Sequence, residues 1–575
     1  MYHYNIDKMK NIILFTCISM FFFSCTKLDL NPLSEGSTEN WNQNATQITM
    51  SLNDLYRIYL WENETNFGLE RMTDNWNQRD QINAFAAGAI NGQWSIAENT
   101  WANSYKGITR ANTILENIAA LGEGVPQEQL ARFAGEARFM RAALYANLIF
   151  HYGDVPFYKE YISLEDAYAM GRTDKNTILQ EVYADFDYAA SNLPTSYGDG
   201  ELKRATKGAA LAFKARAALL MADWATARNA AKACMDLKVY SLHPDFGEYF
   251  LPSTKNAEET IFALPRSEEL GVYWTTTNFV TRNAGGSSVA QPSWELFCAF
   301  PCTDGLPIDE SPLYNPRNPF ENRDPRCKAT IVEFGTRHVG FIYDPNPYAT
   351  TVMNFSTGQM APNKDSRAVD QYASYNGLTL KKWVDDSWGG NLRADYDVIL
   401  MRYADVLLMY AEAKIELNEI DDSVLDAINQ VRARAYKKNI ADVANYPALR
   451  EQHKNQAYLR KQIRNERRVE LAWENRRFYD IIRWHIAEKV LVKPHYGILD
   501  PNDLKAKVVD KGLWFFPGIP EIDDEWLPDF TAMYNAGLIK VLVQRAFDKN
   551  RQYLWPVPTK EILINDNLKP QNPGY

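Results

Sequence analysis

Apolar side chains recur every three or four residues through long stretches of this 575-residue chain, the spacing that lines one face of an α-helix. In GEARFMRAALYANLIFHYGDVP, Gly135 to Pro156, the positions Ala137, Met140, Ala143, Leu144, Asn147 and Leu148 fall along or beside one stripe. Gly153 and Pro156 stand where that period ends and predict the helix stop. TKGAALAFKARAALLMADWATARNAAKACM, Thr206 to Met235, predicts a helix pair. Ala209, Leu211, Ala212, Ala215, Ala217 and Ala218 permit close approach of a neighbour, Asp223 suits a short turn, and Trp224 opens the second helix. Small residues at such a crossing are the pattern of tetratricopeptide-like units, although a generic helical bundle shares the period.

Further helices are predicted from Ile399 to Asn418, Leu425 to Tyr436 and Leu459 to Trp484. In the last, Glu466, Glu470 and Glu474 interleave with cations at four-residue spacing, as on a solvated, ion-paired face. Charges set within otherwise apolar helices need partners, so Arg138, Arg141, Arg402, Glu412, Arg467, Arg468, Glu470, Arg476 and Asp480 are expected to pair across helix interfaces. Between residues 251 and 398 periodicity fades, and Pro, Gly, Asn and Thr multiply around short strand-like pieces such as ATIVEF, Ala329 to Phe334. That span reads as a long loop-rich insertion, and long ordered loops on a rigid frame are where function concentrates. The C-terminal WPVPTKEILINDNLKPQNPGY reads as a strap held extended by its prolines.

The first residues follow a different rule. Lys8 and Lys10 precede a mostly apolar run from Ile12 to Phe23, too short to cross a bilayer of about 30 Å. It predicts a secretory leader over residues 1–24, with Met1 or Met9 as its start. Ser24 followed by Cys25 is the bacterial lipoprotein arrangement, which makes Cys25 the lipidated N-terminus of the mature chain and predicts an outer-membrane tether. A net charge of -10 argues against a nucleic-acid surface, which needs a basic patch. Beyond Cys17 and Cys25, only Cys234, Cys298, Cys302 and Cys327 remain, too irregular for a zinc site; Cys302 and Cys327 either bridge or stay as buried thiols. No metal or cofactor set is visible in the sequence.

Catalytic signatures are equally missing: there is no G-x-S-x-G elbow, no H-E-x-x-H helix and no phosphate loop. A glycosidase needs only two facing carboxylates, which spacing along a sequence does not reveal. Aromatic residues change the picture more, at 13% of the chain. Several rings sit in polar, turn-like company, as in TDNWNQRD, NGQWS, GVYWTTTN and DDSWGG. A sugar offers C–H faces to such rings and hydroxyls to Asp, Asn and Arg. By that chemistry the candidate ligand contacts are Asp74, Asn75, Trp76, Arg79 and Trp94 in the early loops, with Tyr273, Trp274, Arg367 and Tyr396 in the insertion. Trp41, Trp101, Trp294, Trp473 and Trp484 lie in helical patterns and are assigned to core.

The lipoprotein cysteine with LDLNP after it, GEARFMRAALYANLIFHYGDVPF, KGAALAFKARAALLMADWATA, LMRYADVLLMYAEAKIELN, IRNERRVELAWENRRFYDIIRW and YLWPVPTKEILINDNLKPQNPGY occur in one order. Together they resemble the SusD/RagB family of Bacteroidetes outer-membrane lipoproteins over nearly the whole chain. The resemblance implies a mainly α fold, a tetratricopeptide-like scaffold carrying a loop-rich insertion with short strands. It divides the chain into the leader (1–24), an N-terminal SusD-like helical region (25–250), the insertion (251–398) and a C-terminal SusD/RagB helical region (399–575). It further implies a ligand-binding surface, delivery to a TonB-dependent, SusC-like outer-membrane transporter and no catalysis; the aromatic loops favour oligo- or polysaccharide as the ligand, with peptide or glycopeptide as the alternative, and no cofactor is expected. The candidate contacts lie outside the shared motifs, so the resemblance supports them by region only.

Overall fold

The computed structural model describes residues 41–575 apart from 66, 122, 123, 199 and 202; the leader and Cys25 lie outside the described residues. Among the described residues seven helices precede the insertion: α1 (Ala45–Leu55), α2 (Ser95–Ala120), α3 (Gln127–Tyr152), α4 (Leu164–Ala169), α5 (Lys175–Asn192), α6 (Lys207–Leu220) and α7 (Trp224–Met235). After the insertion, which carries the short α8 (Trp294–Ala299) and α9 (Pro325–Thr330), come α10 (Tyr403–Glu416), α11 (Asp422–Ala435), α12 (Gln456–Glu470) and α13 (Arg476–Arg483). Three single turns, α14 (Ala487–Val490), α15 (Pro501–Leu504) and α16 (Thr531–Asn535), precede α17 (Thr559–Ile564). None of these helices is long and apolar enough to cross a membrane.

The long helices pack in sequence, α2 on α3, α3 on α5, α5 on α6, α6 on α7, α7 on α10 and α10 on α11 and α12, the stacking of helix pairs that the alanine-rich stripe predicts. Local chemistry sets their ends. Thr206 accepts from Ala209 N at 3.1 Å and Asp223 from Thr226 N at 3.1 Å, each satisfying one orphan donor of a first turn. Gly153 closes α3 at φ 74°, a backbone angle that suits glycine. Close approach is enforced at Gly208, where an added Cβ would sit 2.0 Å from the Tyr240 hydroxyl.

Three predicted elements differ. Residues 399–402 belong to strand β10 (Val398–Arg402), paired antiparallel with β2 (Thr260–Leu264), and the helix starts only at Tyr403. The helix expected from Leu459 to Trp484 breaks after Glu470, because Trp473 and Asn475 take positive φ (61° and 63°) and turn the corner into α13. ATIVEF is likewise no strand: Ala329 and Thr330 finish α9, and Ile331 makes a single bridge to Leu380.

The insertion is also more than loops on a frame. Strand β1 (Trp76–Asn77) pairs with β4 (Gln291–Pro292), β3 (Trp274–Thr275) with β9 (Arg393–Ala394), and β5 (Thr336–His338), β6 (Phe341–Tyr343), β7 (Thr351–Asn354) and β8 (Gln359–Pro362) form one antiparallel sheet in that order. Under them lies a second apolar core, separate from that of the helices, built on Phe67, Trp76, Trp274, Trp294, Trp383 and Trp473. The charges within helices pair as expected. Arg141 holds Asp185 across α3 and α5 at 2.7 Å, and Arg402 holds Glu259 at 2.8 Å and Glu470 at 2.7 Å. Glu466, Glu470 and Glu474 are buried, which corrects the solvated face read for them: Arg326, Arg432, Arg402 and Lys382 cover those carboxylates from neighbouring elements. Cys302 and Cys327 are free, buried thiols, as are Cys234 and Cys298, and burial pushes the Cys327 thiol up to about 12.

Candidate functional site

The early loop that carries TDNWNQRD leaves the helices through a tightly bonded corner. Glu70 accepts from the backbone N–H of Trp473 (3.1 Å) and of Asn475 (3.0 Å) and from the Asn75 amide (2.9 Å), and burial raises its carboxyl to about 7. Asp74 sits between Arg468 (2.7 Å) and Arg477 (2.8 Å). Although burial alone would raise the Asp74 carboxyl, the two guanidiniums hold it well below the usual carboxylate range. Asn75 also accepts from Arg468 at 3.0 Å, and Trp76 stacks on Trp473 with centroids 4.7 Å apart.

Asp74, Asn75 and Trp76 are therefore interior groups, exposed by 1, 0 and 6%. So are Trp274, against Phe279 at 4.5 Å, and Tyr396, against Trp383 at 4.9 Å, each 6% exposed. The surface placement read from their polar neighbours is corrected for all five. An irregular segment without helical or sheet periodicity needs large buried side chains to hold it, and a ring supplies more buried area than an aliphatic residue. Trp94 is half-buried at the start of α2, edge-on to Trp555 at 4.9 Å. Tyr273 is 38% exposed beneath the Arg393 guanidinium, 4.6 Å from its ring centre. Of the rings assigned to core, Trp101, Trp294 and Trp473 are buried, while Trp41 and Trp484 are only half so.

Past Trp76 the same loop reaches the surface. Pairing of β1 with β4, and an Asn77 amide donating to Gln291 at 3.1 Å, set the following turn beside the 277–288 loop through Arg79. Arg79, at φ 51°, then donates through Nη2 to the carbonyls of Ser287 and of Tyr372 (2.6 Å). Its guanidinium carbon lies 5.6 Å from the centre of the Tyr372 ring. From the other loop Arg282 lies 5.9 Å from that ring while its Nε and Nη2 donate to Asp370 at 3.1 and 2.9 Å. Tyr372 itself is 51% exposed. Three residues on, Tyr375 carries Arg367 at 4.2 Å over its face, with Arg367 paired to Asp500 at 3.0 Å.

One surface thus brings together Arg79 and Arg367 of the expected residues, and adds Arg282, Asp370, Tyr372 and Tyr375. Burial pulls the Arg79 guanidinium below its usual range, and the neighbouring Arg282 charge acts the same way. Asp365 supports the surface from beneath: it is 3% exposed and accepts the Arg282 backbone N–H at 2.7 Å, and burial raises it to about 7. Gly286 has no room for a side chain, since a Cβ would meet the Val280 carbonyl oxygen at 2.1 Å. The two loops are therefore fixed by backbone pairing and interior side chains, and a half-open ring flanked by two guanidiniums faces solvent. A flat ring can cover the C–H face of a sugar, and the exposed polar groups around it, Asp80 and Asn278 among them, can bond hydroxyls. Sequence reasoning missed Tyr372 and Tyr375 although DQYASYNG meets the same criterion as the tryptophan segments, a ring among turn-forming polar residues.

Among the described residues no group of His, Cys, Asp and Glu could hold a metal ion. Comparison with known proteins agrees with this architecture. The family model described as the SusD family matches residues 258–575, more than half of the chain, and one described as starch-binding associating with outer membrane matches residues 28–219. A SusD-like protein of Formosa agariphila is 27% identical over 86% of this chain and 93% of its own length. A crystal structure of a SusD-like carbohydrate binding protein from Bacteroides fragilis superposes with a TM-score of 0.76 at 27% identity, over 92% of this chain and 99% of that one. A laminarin-binding SusD-like protein shares the fold, with a TM-score of 0.61 at 19% identity over 93% of this chain and all of that one. With the stacked helix pairs and the aromatic-cored insertion in the same order, the chain belongs to the SusD/RagB family.

Proposed function

We propose that this chain captures an oligo- or polysaccharide on the Tyr372 surface and passes it intact to a TonB-dependent outer-membrane transporter, while a lipid on Cys25 holds it at the exterior face of the outer membrane. The observation that carries this reading is the half-exposed Tyr372 ring, with the Arg79 and Arg282 guanidiniums 5.6 and 5.9 Å from its centre and its remaining surface open as a stacking platform. Arg367, over Tyr375, borders the same surface and extends it toward Asp500. The similarity to a carbohydrate binding protein at 27% identity supports a glycan ligand, and the family description that names the outer membrane supports the location.

Isothermal calorimetry of Tyr372→Ala against a glycan that wild type binds tests the site. Removing one stacking ring takes away about 1–3 kcal/mol of apolar contact, which is roughly ten- to a hundredfold in affinity. Because the side chain is half in solvent, circular dichroism and melting should match wild type. Unchanged affinity would place the site elsewhere, and new reducing ends in the same incubation would replace capture by hydrolysis.

A further inference from the structure

We propose that the transporter docks on an apolar face formed by α4 and α17, an inference that rests on the delivery role above. Neither helix buries a single residue. Leu164 and Tyr168 are 73 and 51% exposed, Leu563 and Ile564 79 and 57%, and Tyr161, just before α4, 62%. The two helices are one surface: Asn565, directly after α17, donates its amide to the Met170 carbonyl at 2.8 Å, and Asn567 donates to Ala169 at 3.1 Å. A water-facing pair of helices has no internal reason to present leucines, isoleucine and tyrosines together, and contiguous exposed apolar surface of this kind marks an interface.

The occupant follows from position and charge. Trp41 and Asn42 line a cleft with Thr109, Arg110 and Thr113 of α2. On that same turn of α2, Thr109 bonds the Tyr158 hydroxyl at 3.0 Å and the Asn112 amide donates to the Glu160 carbonyl at 3.2 Å. Trp41, the first described residue, thus lies on the side of the body that carries Tyr158 to Tyr161. Fifteen residues separate Cys25 from Trp41, a reach of about 50 Å at full extension. A lipid on Cys25 would therefore keep Trp41 within that distance of the membrane, on the side of the body that carries Tyr161. The face is poorly suited to lipid itself, since a helix lying on a membrane carries several cations on its polar side, whereas α4 carries Glu165 and Asp166 and no cation and α17 carries one lysine, Lys560, beside Glu561. Glu160, Glu165, Asp166 and Glu561 have no ion pair among the described residues, so the rim is open to a basic surface. An integral membrane protein with an apolar hollow edged by Lys and Arg meets all three conditions.

The test uses the full-length lipoprotein extracted from native membranes in mild detergent. Leu164→Glu with Leu563→Glu should reduce the co-purified barrel, identified by mass spectrometry as a TonB-dependent transporter, at least tenfold. Glycan affinity, circular dichroism and membrane attachment of the variant should match wild type. Glu165→Lys with Asp166→Lys, which keeps the apolar residues, should also lower the yield of transporter. If wild type recovers the transporter and both variants recover it equally, the face is wrong while the delivery role stands. Recovery of no transporter even with wild type overturns both. Binding of wild type to protein-free vesicles that the leucine variant loses would make lipid the occupant, and a wild-type dimer that the variant splits would make it a second copy; either result overturns the proposal.

Discussion

The two halves of the molecule solve the burial problem with different side chains. In the helical scaffold the core is rich in alanine, leucine and isoleucine, and Ala209, Ala212, Ala215 and Ala218 of α6 are each fully buried. Small residues suffice there because the helical backbone already pairs its own N–H and C=O groups and needs only close packing. The insertion has few regular hydrogen-bond ladders, and its core is built from rings: Trp294 is 1% exposed, Trp473 0% and Phe516 0%. The lesson is that a ring in polar company is as much an anchor for an irregular loop as a platform for a ligand. Which it is depends on what stands opposite: Trp76 faces Trp473, whereas Tyr372 faces solvent.

The largest expected effect tests what joins the halves. Glu470 of α12 receives Arg402 at 2.7 Å, Arg326 of the insertion at 2.9 Å, and Arg434 of α11, all buried. Those three guanidiniums outweigh the burial penalty and hold its carboxyl well below the usual range. Removing one member of a buried, bonded charge set costs about 3–5 kcal/mol, because its partners are left unpaired. Glu470→Ala should therefore lower the urea midpoint sharply for probes in both halves at once. A transition confined to the insertion would mean that the halves unfold separately. The sign with pH is fixed by the depressed carboxyl: the stabilisation by Glu470 is present above about pH 4.5, its ordinary value, and is lost as pH falls below it.

A smaller effect sets the two kinds of ring against each other. Trp76→Ala empties a site in the second core, and truncating a large buried ring costs about 3–5 kcal/mol. Tyr372→Ala should change stability by no more than about 0.5 kcal/mol, as surface substitutions do. Affinity for the glycan should order the other way: tight binding retained by folded Trp76→Ala at low temperature, and weakened by Tyr372→Ala. If Tyr372→Ala instead proves strongly destabilising, the contrast between anchor and platform fails at that residue.

Legibility in the sequence followed the same division. Helices α3, α6 and α7 were readable because a 3.6-residue period leaves a stripe, and Gly153 and Asp223 mark their limits. The strand at Val398–Arg402 was not, since five apolar-rich residues ahead of a helix share its composition, and only pairing with Thr260–Leu264 tells them apart. In the early loop the segment Asp74 to Arg79 was found for its mixture of ring, amide and charge. The roles within it were not, because the partners of Asp74 are Arg468 and Arg477, about four hundred positions away. Of the four candidates in it, Arg79 reaches the surface and Asp74, Asn75 and Trp76 do not.

The smallest expected effect concerns the support of the site. Asp365 lies under the 277–288 loop, where its carboxylate accepts the Arg282 backbone N–H at 2.7 Å and its own backbone N–H donates to the Asn283 side chain at 3.1 Å. Burial outweighs the backbone donors of Arg282 and Asn283 and the Arg282 charge, and raises its carboxyl from 3.8 to about 7. A raised carboxyl is ionised at a cost in the fold, so its contribution to stability is fully present below about pH 3.8 and is lost as pH rises through 7. Asp365→Asn keeps an acceptor oxygen for Arg282 and removes the titration. Melting of wild type should therefore decline between about pH 4 and 7 relative to the variant, the gap closing at the acid end. Glu70 is raised to about 7 as well and contributes a parallel slope to both proteins, which is why the comparison is made between them and not read from wild type alone. Equal slopes for the two proteins would show that Asp365 stays ionised in the fold, and that the loop carrying Arg282 rests on a full charge instead of a shared proton.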